Sequence, residues 1–173
     1  MSWKFIPNTC TFVNLSAGVT SLILTIHEQY RLALFSIAIA ALFDVFDGYL
    51  ARLMNCSSDF GKQLDSLADI VSFGVAPVFL VLLHRTGEFH WLSAVAAIIF
   101  LVCGASRLAR FNISISSPQF TGMPITCAGT LLACLSLTNH LKPSVIIAFI
   151  VVLSFLMVSR IPFPSLKNIS IRK

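Results

Sequence analysis

Asp44-Val45-Phe46-Asp47-Gly48-Tyr49-Leu50-Ala51-Arg52, then eight residues, then Gly61-Lys62-Gln63-Leu64-Asp65-Ser66-Leu67-Ala68-Asp69: this stretch decides how the chain is read. On a helix, residues three or four apart share a face. Asp44, Asp47, Gly48 and Ala51 therefore form one stripe. Gly61, Asp65, Asp69 and Ser72 form a second, provided that helix begins as early as Gly61. Both stripes sit in apolar sequence, and a carboxylate in a membrane-length segment is costly enough to mark a functional site by default.

Working outward, the whole chain is apolar. It has 173 residues, 57% of them hydrophobic and only 11% charged, with a mean hydropathy of +0.88. A soluble domain carries roughly 25% charged residues. The reading is therefore an all-α integral membrane protein, with residues 1–173 forming a single domain. Six apolar segments stand out: Thr11–Ile26, Arg31–Ala51, Ser66–Leu83, Trp91–Ala109, Thr121–Thr138 and Pro143–Val158. Each approaches the roughly 20 residues that cross a 30 Å hydrocarbon core. The expectation is a six-helix transmembrane bundle, its first run retained as a span. Ser2–Asn8 reads as a short interfacial segment, with Trp3, Lys4 and Phe5 at headgroup depth.

Basic residues orient the bundle. With the N-terminus in the cytoplasm, the inside carries Lys4, Arg52, Lys62, Arg107, Arg110, Arg160, Lys167, Arg172 and Lys173. The outside carries Arg31, Arg85 and Lys142, so both termini are expected inside. All five aspartates, Asp59 included, then face the cytoplasm, and an antiparallel pair of spans brings both acid stripes together. The net charge of +5 does not imply nucleic acid, because the cations are scattered and not interleaved with aromatics in a polar patch.

Four clustered carboxylates repel one another unless a cation joins them. Hard divalent ions such as Mg²⁺ or Mn²⁺ prefer carboxylate oxygen. Two of them about 4 Å apart can clamp a phosphoryl group for in-line displacement. Gly48 and Ala51 leave room for a ligand beside the acids, and Arg52 stands where it can meet an anionic group. Three blander readings compete. The acids could line a proton or ion path, as in a small cation transporter. They could pair structurally with Arg52 and Lys62. The small residues could serve helix packing alone. The clustering of the acids at one interface favours the cation site.

Elsewhere the signals are weaker. Cys10, Cys56, Cys103, Cys127 and Cys134 form no C-x-x-C pair and read as inert thiols. His27, His84, His90 and His140 map to the outer side, away from the acids. Trp91 and Tyr30 read as interfacial anchors.

The two acid stripes, in this spacing, resemble the complete signature of the CDP-alcohol phosphatidyltransferase family. Further stretches resemble its membrane-embedded bacterial branch that uses serine: Ile6-Pro7-Asn8 with Thr11 and Asn14, Ser72-Phe73-Gly74-Val75-Ala76-Pro77, Arg107-Leu108-Ala109-Arg110-Phe111-Asn112, Gly122-Met123-Pro124 and Ser159-Arg160-Ile161-Pro162-Phe163-Pro164. The resemblance implies a transferase of phospholipid biosynthesis, usually a homodimer, with a cytoplasm-facing site in the cell membrane. It implies transfer of a phosphatidyl group from CDP-diacylglycerol to L-serine, with CMP as the other product. It implies that Asp44, Asp47, Asp65 and Asp69 hold two divalent ions and that Asp69 also acts as general base. Gly48, Ala51, Arg52 and Gly61 would receive the nucleotide and its diphosphate, with Asn8, Thr11 and Asn14 lining the same cavity. Arg107 and Arg110, with Asn112 nearby, are expected to take the zwitterionic serine, although the two arginines equally suit lipid phosphate; Arg160 and Lys167 invite the same two readings. Glycerol 3-phosphate and inositol remain alternative acceptors.

Overall fold

The computed structural model describes residues 6–53, 58–86, 91–113, 122–138 and 141–159. Every regular element among them is helical, as the long apolar segments predict. Helix α1 spans Ile6–Ile26 and α2 spans Tyr30–Leu53; α3 (Asp59–Asp69) runs through a π-helical turn (Ile70–Val75) into α4 (Ala76–Thr86) as one rod. Then come α5 (Trp91–Ile113), α6 (Ile125–Leu135) and α7 (Pro143–Val158). Four stretches are long and apolar enough to cross a membrane: Asn8–Ile26, Tyr30–Leu50, Asp59–Arg85 and Trp91–Ile113. With the shorter apolar helices α6 and α7, they make a multi-pass membrane protein. At 1.5 Å per residue, α6 covers only about 16 Å and α7 about 24 Å.

Several boundaries differ from the sequence reading. The third segment begins at Asp59 rather than Ser66, the fourth runs on to Ile113, and Ile6–Asn8 already belong to α1. Hydropathy falls where charges begin, but a charge on a helix surface does not stop the backbone. The start of α3 is instead set by a cap. Ser58 is extended at φ −104°, its Oγ accepts the Gly61 N–H, and Asp59 supplies negative charge to the first turn. Of the interfacial segment expected at Ser2–Asn8, residues 2–5 lie outside the described residues.

The bundle is inverted relative to a soluble protein. Phe12, Phe35, Val45, Phe46, Ile98, Val102 and Phe155 point outward, while Ala33, Ala40, Ala68, Ala76, Ala96, Ala128 and Ala133 are buried. Small residues let membrane helices approach closely, and lipid tails accept the large ones. A larger core forms where Phe73, Phe100, Ile125, Leu132, Ile150, Leu153 and Met157 meet. The tightest approach is at Gly129: a β-carbon there would lie 2.1 Å from the carbonyl oxygen of Phe73. Only glycine lets α6 sit on the backbone of the π turn.

Short turns fix which ends lie together. Glu28 takes a left-handed conformation, φ 60°, and reverses α1 into α2, while the Gln29 N–H returns to the carbonyl of Leu24 at 2.8 Å. One end of the bundle thus collects the start of α1, the end of α2, the start of α3 and the end of α5. The opposite end holds Tyr30, His84, Arg85 and Ser136.

Candidate metal and phosphate site

Helix α1 packs against both α2 and α3, and at the first of these two ends the acids of α2 and α3 converge. One carboxylate oxygen from each of Asp44, Asp65 and Asp69 lies within 4.8 Å of the others. Asp69 is only 7% exposed, and its Oδ1 is buried with no hydrogen-bond partner. Insertion scales put an aspartate at mid-membrane near 3 kcal/mol, so three cost up to about 9 kcal/mol. That rivals the net stability of a whole domain, so the cluster needs compensation. A divalent cation with oxygens at about 2.0–2.6 Å can bridge ligand atoms roughly 4–5 Å apart. The three carboxylates fit such an ion in spacing and in donor type.

Asp47 stands apart from this trio. It is buried, and its Oδ2 accepts the hydroxyl of Thr11 across the α1–α2 interface. The sequence reading placed all four acids on the cation; three share the cluster directly, while Asp47 is tied to α1. Thr11 therefore meets an acid of the signature. Asn8 lies beside Gly61: a β-carbon on Gly61 would sit 2.9 Å from Asn8 Oδ1. Gly61 is open to close approach only because it has no side chain. Gly48 is exposed on α2. Ala51 and Arg52 follow on the same helix, but their side chains lie outside the described residues.

The end of α5 supplies the positive charge. Arg107 is half-buried with an unpartnered Nε, and its guanidinium acts electrostatically on Asp69. Arg110 is exposed one turn further on. Asn112 is tied to α3 through its Nδ2, which donates to Ser66 Oγ at 2.9 Å and reaches Gln63 Oε1 at 3.5 Å, while its Oδ1 is buried without a partner. Lys62 joins from α3, donating to the Asn112 carbonyl at 3.5 Å and lying over the Phe111 ring, 5.6 Å from its centroid. Lys62 thus turns toward α5 rather than toward the acids. Sequence reasoning missed this clasp of Ser66, Gln63, Lys62 and Phe111, since its halves are about 50 residues apart and no local pattern joins them.

The remaining expectations resolve simply. Cys10, Cys103, Cys127 and Cys134 are unbridged, and Cys56 lies outside the described residues. His84 is at the far end, stacked on Tyr30 at 4.2 Å, so Tyr30 is a packing partner as well as a helix-end aromatic. A cavity of about 540 Å³ at that end is lined by Glu28, Tyr30, Arg31, His84 and Ser136, among others, well away from the acids. His90, His140, Arg160 and Lys167 are outside the described residues.

Comparison with known proteins gives the same direction. The family model described as CDP-alcohol phosphatidyltransferase matches residues 4–160. The CDP-diacylglycerol–serine O-phosphatidyltransferase of Bacillus subtilis is 37% identical over 166 residues, covering 95% of this chain and 93% of that protein. The enzyme of that name from Methanocaldococcus jannaschii is 38% identical over 165 residues, covering 94% and 75%. The archaetidylserine synthase of Methanothermobacter thermautotrophicus is 32% identical over 166 residues, covering 94% and 71%.

Proposed function

Since the chain belongs to the CDP-alcohol phosphatidyltransferase family, we propose that it transfers the phosphatidyl group of CDP-diacylglycerol to L-serine, releasing CMP. The observation that carries this reading is the meeting of Asp44, Asp65 and Asp69 beside the cationic end of α5. Relatives with both diacylglycerol-based and archaeal lipid names share serine as the acceptor in those names.

In the reaction, the serine hydroxyl oxygen forms a bond to the phosphorus that bears diacylglycerol. The bond from that phosphorus to the CMP oxygen breaks, and CMP leaves with the electron pair. Asp69 accepts the hydroxyl proton. It is the acid of the trio nearest in charge to Arg107, so acceptor and base meet on one side of the cluster. Asp44, Asp65 and Asp69, with Asp47 braced by Thr11, would hold Mg²⁺ or Mn²⁺, two ions in our reading. Bound there, the cations would supply charge neutralisation for the phosphates. Gly48, Ala51 and Gly61 give the nucleotide room along α2 and α3, Arg52 meets its diphosphate, and Asn8 and Thr11 close the cavity from α1. Arg107 and Arg110 take the serine carboxylate, while Asn112 keeps the end of α5 docked on α3. No covalent enzyme intermediate is needed, since positioning and electrostatics suffice for phosphoryl transfer.

We further propose that residues 1–173 form one catalytic unit of six spans, that it works as a homodimer in the cell membrane, and that site and termini face the cytoplasm. The excess of Lys and Arg on one set of loops supports that orientation. The deciding experiment offers purified protein labelled CDP-diacylglycerol with serine, glycerol 3-phosphate or inositol. CMP release with serine alone is expected; release with glycerol 3-phosphate but not serine would overturn the acceptor.

A further inference from the structure

Asn14 is fully buried, 0% exposed, yet both its Nδ2 and its Oδ1 lack a hydrogen-bond partner. A carboxamide left unsatisfied out of water carries the full desolvation penalty of a donor and an acceptor. Its place in the bundle is set by its neighbours. Thr11 donates to Asp47. One turn along α1 from Thr11 is Asn14, and one turn back along the antiparallel α2 from Asp47 is Asp44, so Asn14 and Asp44 share a level. The carbonyl of Asn14 accepts Ser72 Oγ at 3.0 Å, and Ser72 lies one turn past Asp69 on the same rod. Asn14 thus stands between the two arms of the acid cluster, on its membrane-ward side.

We infer that Asn14 is a substrate-binding residue whose Nδ2 donates to an oxygen of the phosphate being transferred. The nucleotide enters between α2 and α3 at Gly48 and Gly61, nearer the helix ends, so the lipid-bearing phosphate lies deepest, at the level of Asp44 and Asn14. A phosphoryl oxygen accepts what Nδ2 offers. Oδ1 needs a donor, and a carboxylate-bound divalent cation usually keeps water that supplies one. The unsatisfied carboxamide is then the cost of a group set in place for its ligand. The inference rests on the phosphatidyl-transfer reading and adds a residue that reads the phosphate from α1.

The test uses full-length protein in detergent: wild type, Asn14→Leu, which keeps the branched shape without polar atoms, and Asn14→Ala, which cannot clash. Each is melted without ligand and with CDP-diacylglycerol plus Mg²⁺, and CMP release with serine is measured. At least one variant is expected to melt at or above the wild-type temperature without ligand, because an unsatisfied group has gone. Both are expected to lose the ligand-induced rise in melting temperature and about 10²-fold in turnover, the usual loss for one donor to a transferring group. A variant that keeps the ligand-induced rise and near-normal turnover overturns the assignment. So does a fall well below wild type in both ligand-free melts, which would mean that the carboxamide is satisfied inside the fold. If wild type releases no CMP with serine, the acceptor assignment fails, and the ligand-induced shifts still decide Asn14.

Discussion

The two ends of the helix bundle gather different kinds of polar group. At one end, Asp44, Asp65 and Asp69 crowd together, Asp69 keeps an unpaired buried oxygen, and Asn14 keeps two unpaired atoms. At the other, Arg85 donates to the carbonyl of Ser136, and His84 lies against Tyr30. The far end ties these side chains to the protein, although His84 Nδ1 and Arg85 Nε also lack partners. The acid end holds groups in reserve, at a cost to stability, for something that arrives from outside. A polar group satisfied within the fold should matter to melting; one left unsatisfied should matter to turnover.

The sharpest contrast comes from removing cations. EDTA is expected to reduce CMP release to background, with Mg²⁺ or Mn²⁺ restoring it; metal-independent turnover would break the account of the acid end. Next, Asp69→Asn should retain CDP-diacylglycerol binding while turnover falls at least about 10²-fold, the usual share of a general base. Single-turnover CMP release with a parallel binding measurement checks it, and near-normal turnover would remove Asp69 as the base. A smaller effect is expected at the clasp. Asn112→Ala loses a hydrogen bond of about 1 kcal/mol and should raise the KM for serine several-fold, with that for CDP-diacylglycerol nearly unchanged. Adding Ser66→Ala should make it no worse, since both remove one contact. Least change in activity is expected at the far end: Arg85→Ala should leave turnover within about twofold while lowering the melting temperature by a few degrees. If activity fell as far as in Asn112→Ala, the division between the two ends would not hold.

Much of the acid end was legible in the sequence because its spacing is local. Asp44 with Asp47, and Asp65 with Asp69, share helix faces by arithmetic alone, and the basic residues place both pairs at one end. The helices were legible for the same reason, since a run of apolar residues needs no partner to be recognised. What escaped depends on contacts between distant segments. Thr11 binding Asp47 sets one acid apart from the other three, and no spacing within α2 foretells it. The clasp of Asn112 Nδ2 on Ser66 joins α5 to α3, a contact that no spacing within either helix foretells. The boundary at Asp59 escaped because hydropathy registers charge, whereas the helix obeys the Ser58 cap.

The π turn has a consequence for how this chain can vary. There the Ala76 N–H bonds to the carbonyl of Val71, five residues back, so the rod carries one residue more than an ordinary helix would. Such single-turn insertions are rare and concentrate at functional sites. Deleting one residue between 70 and 75 would remove that surplus and let the rod relax to ordinary winding with its two halves still in phase, whereas one more insertion would have to be taken up as rotation, about 100° for each residue of an α-helix. The half that carries Asp65 and Asp69 would then turn relative to the half anchored in the core, swinging both acids out of line with Asp44. The loss of one residue in this segment can be absorbed, but a further insertion cannot.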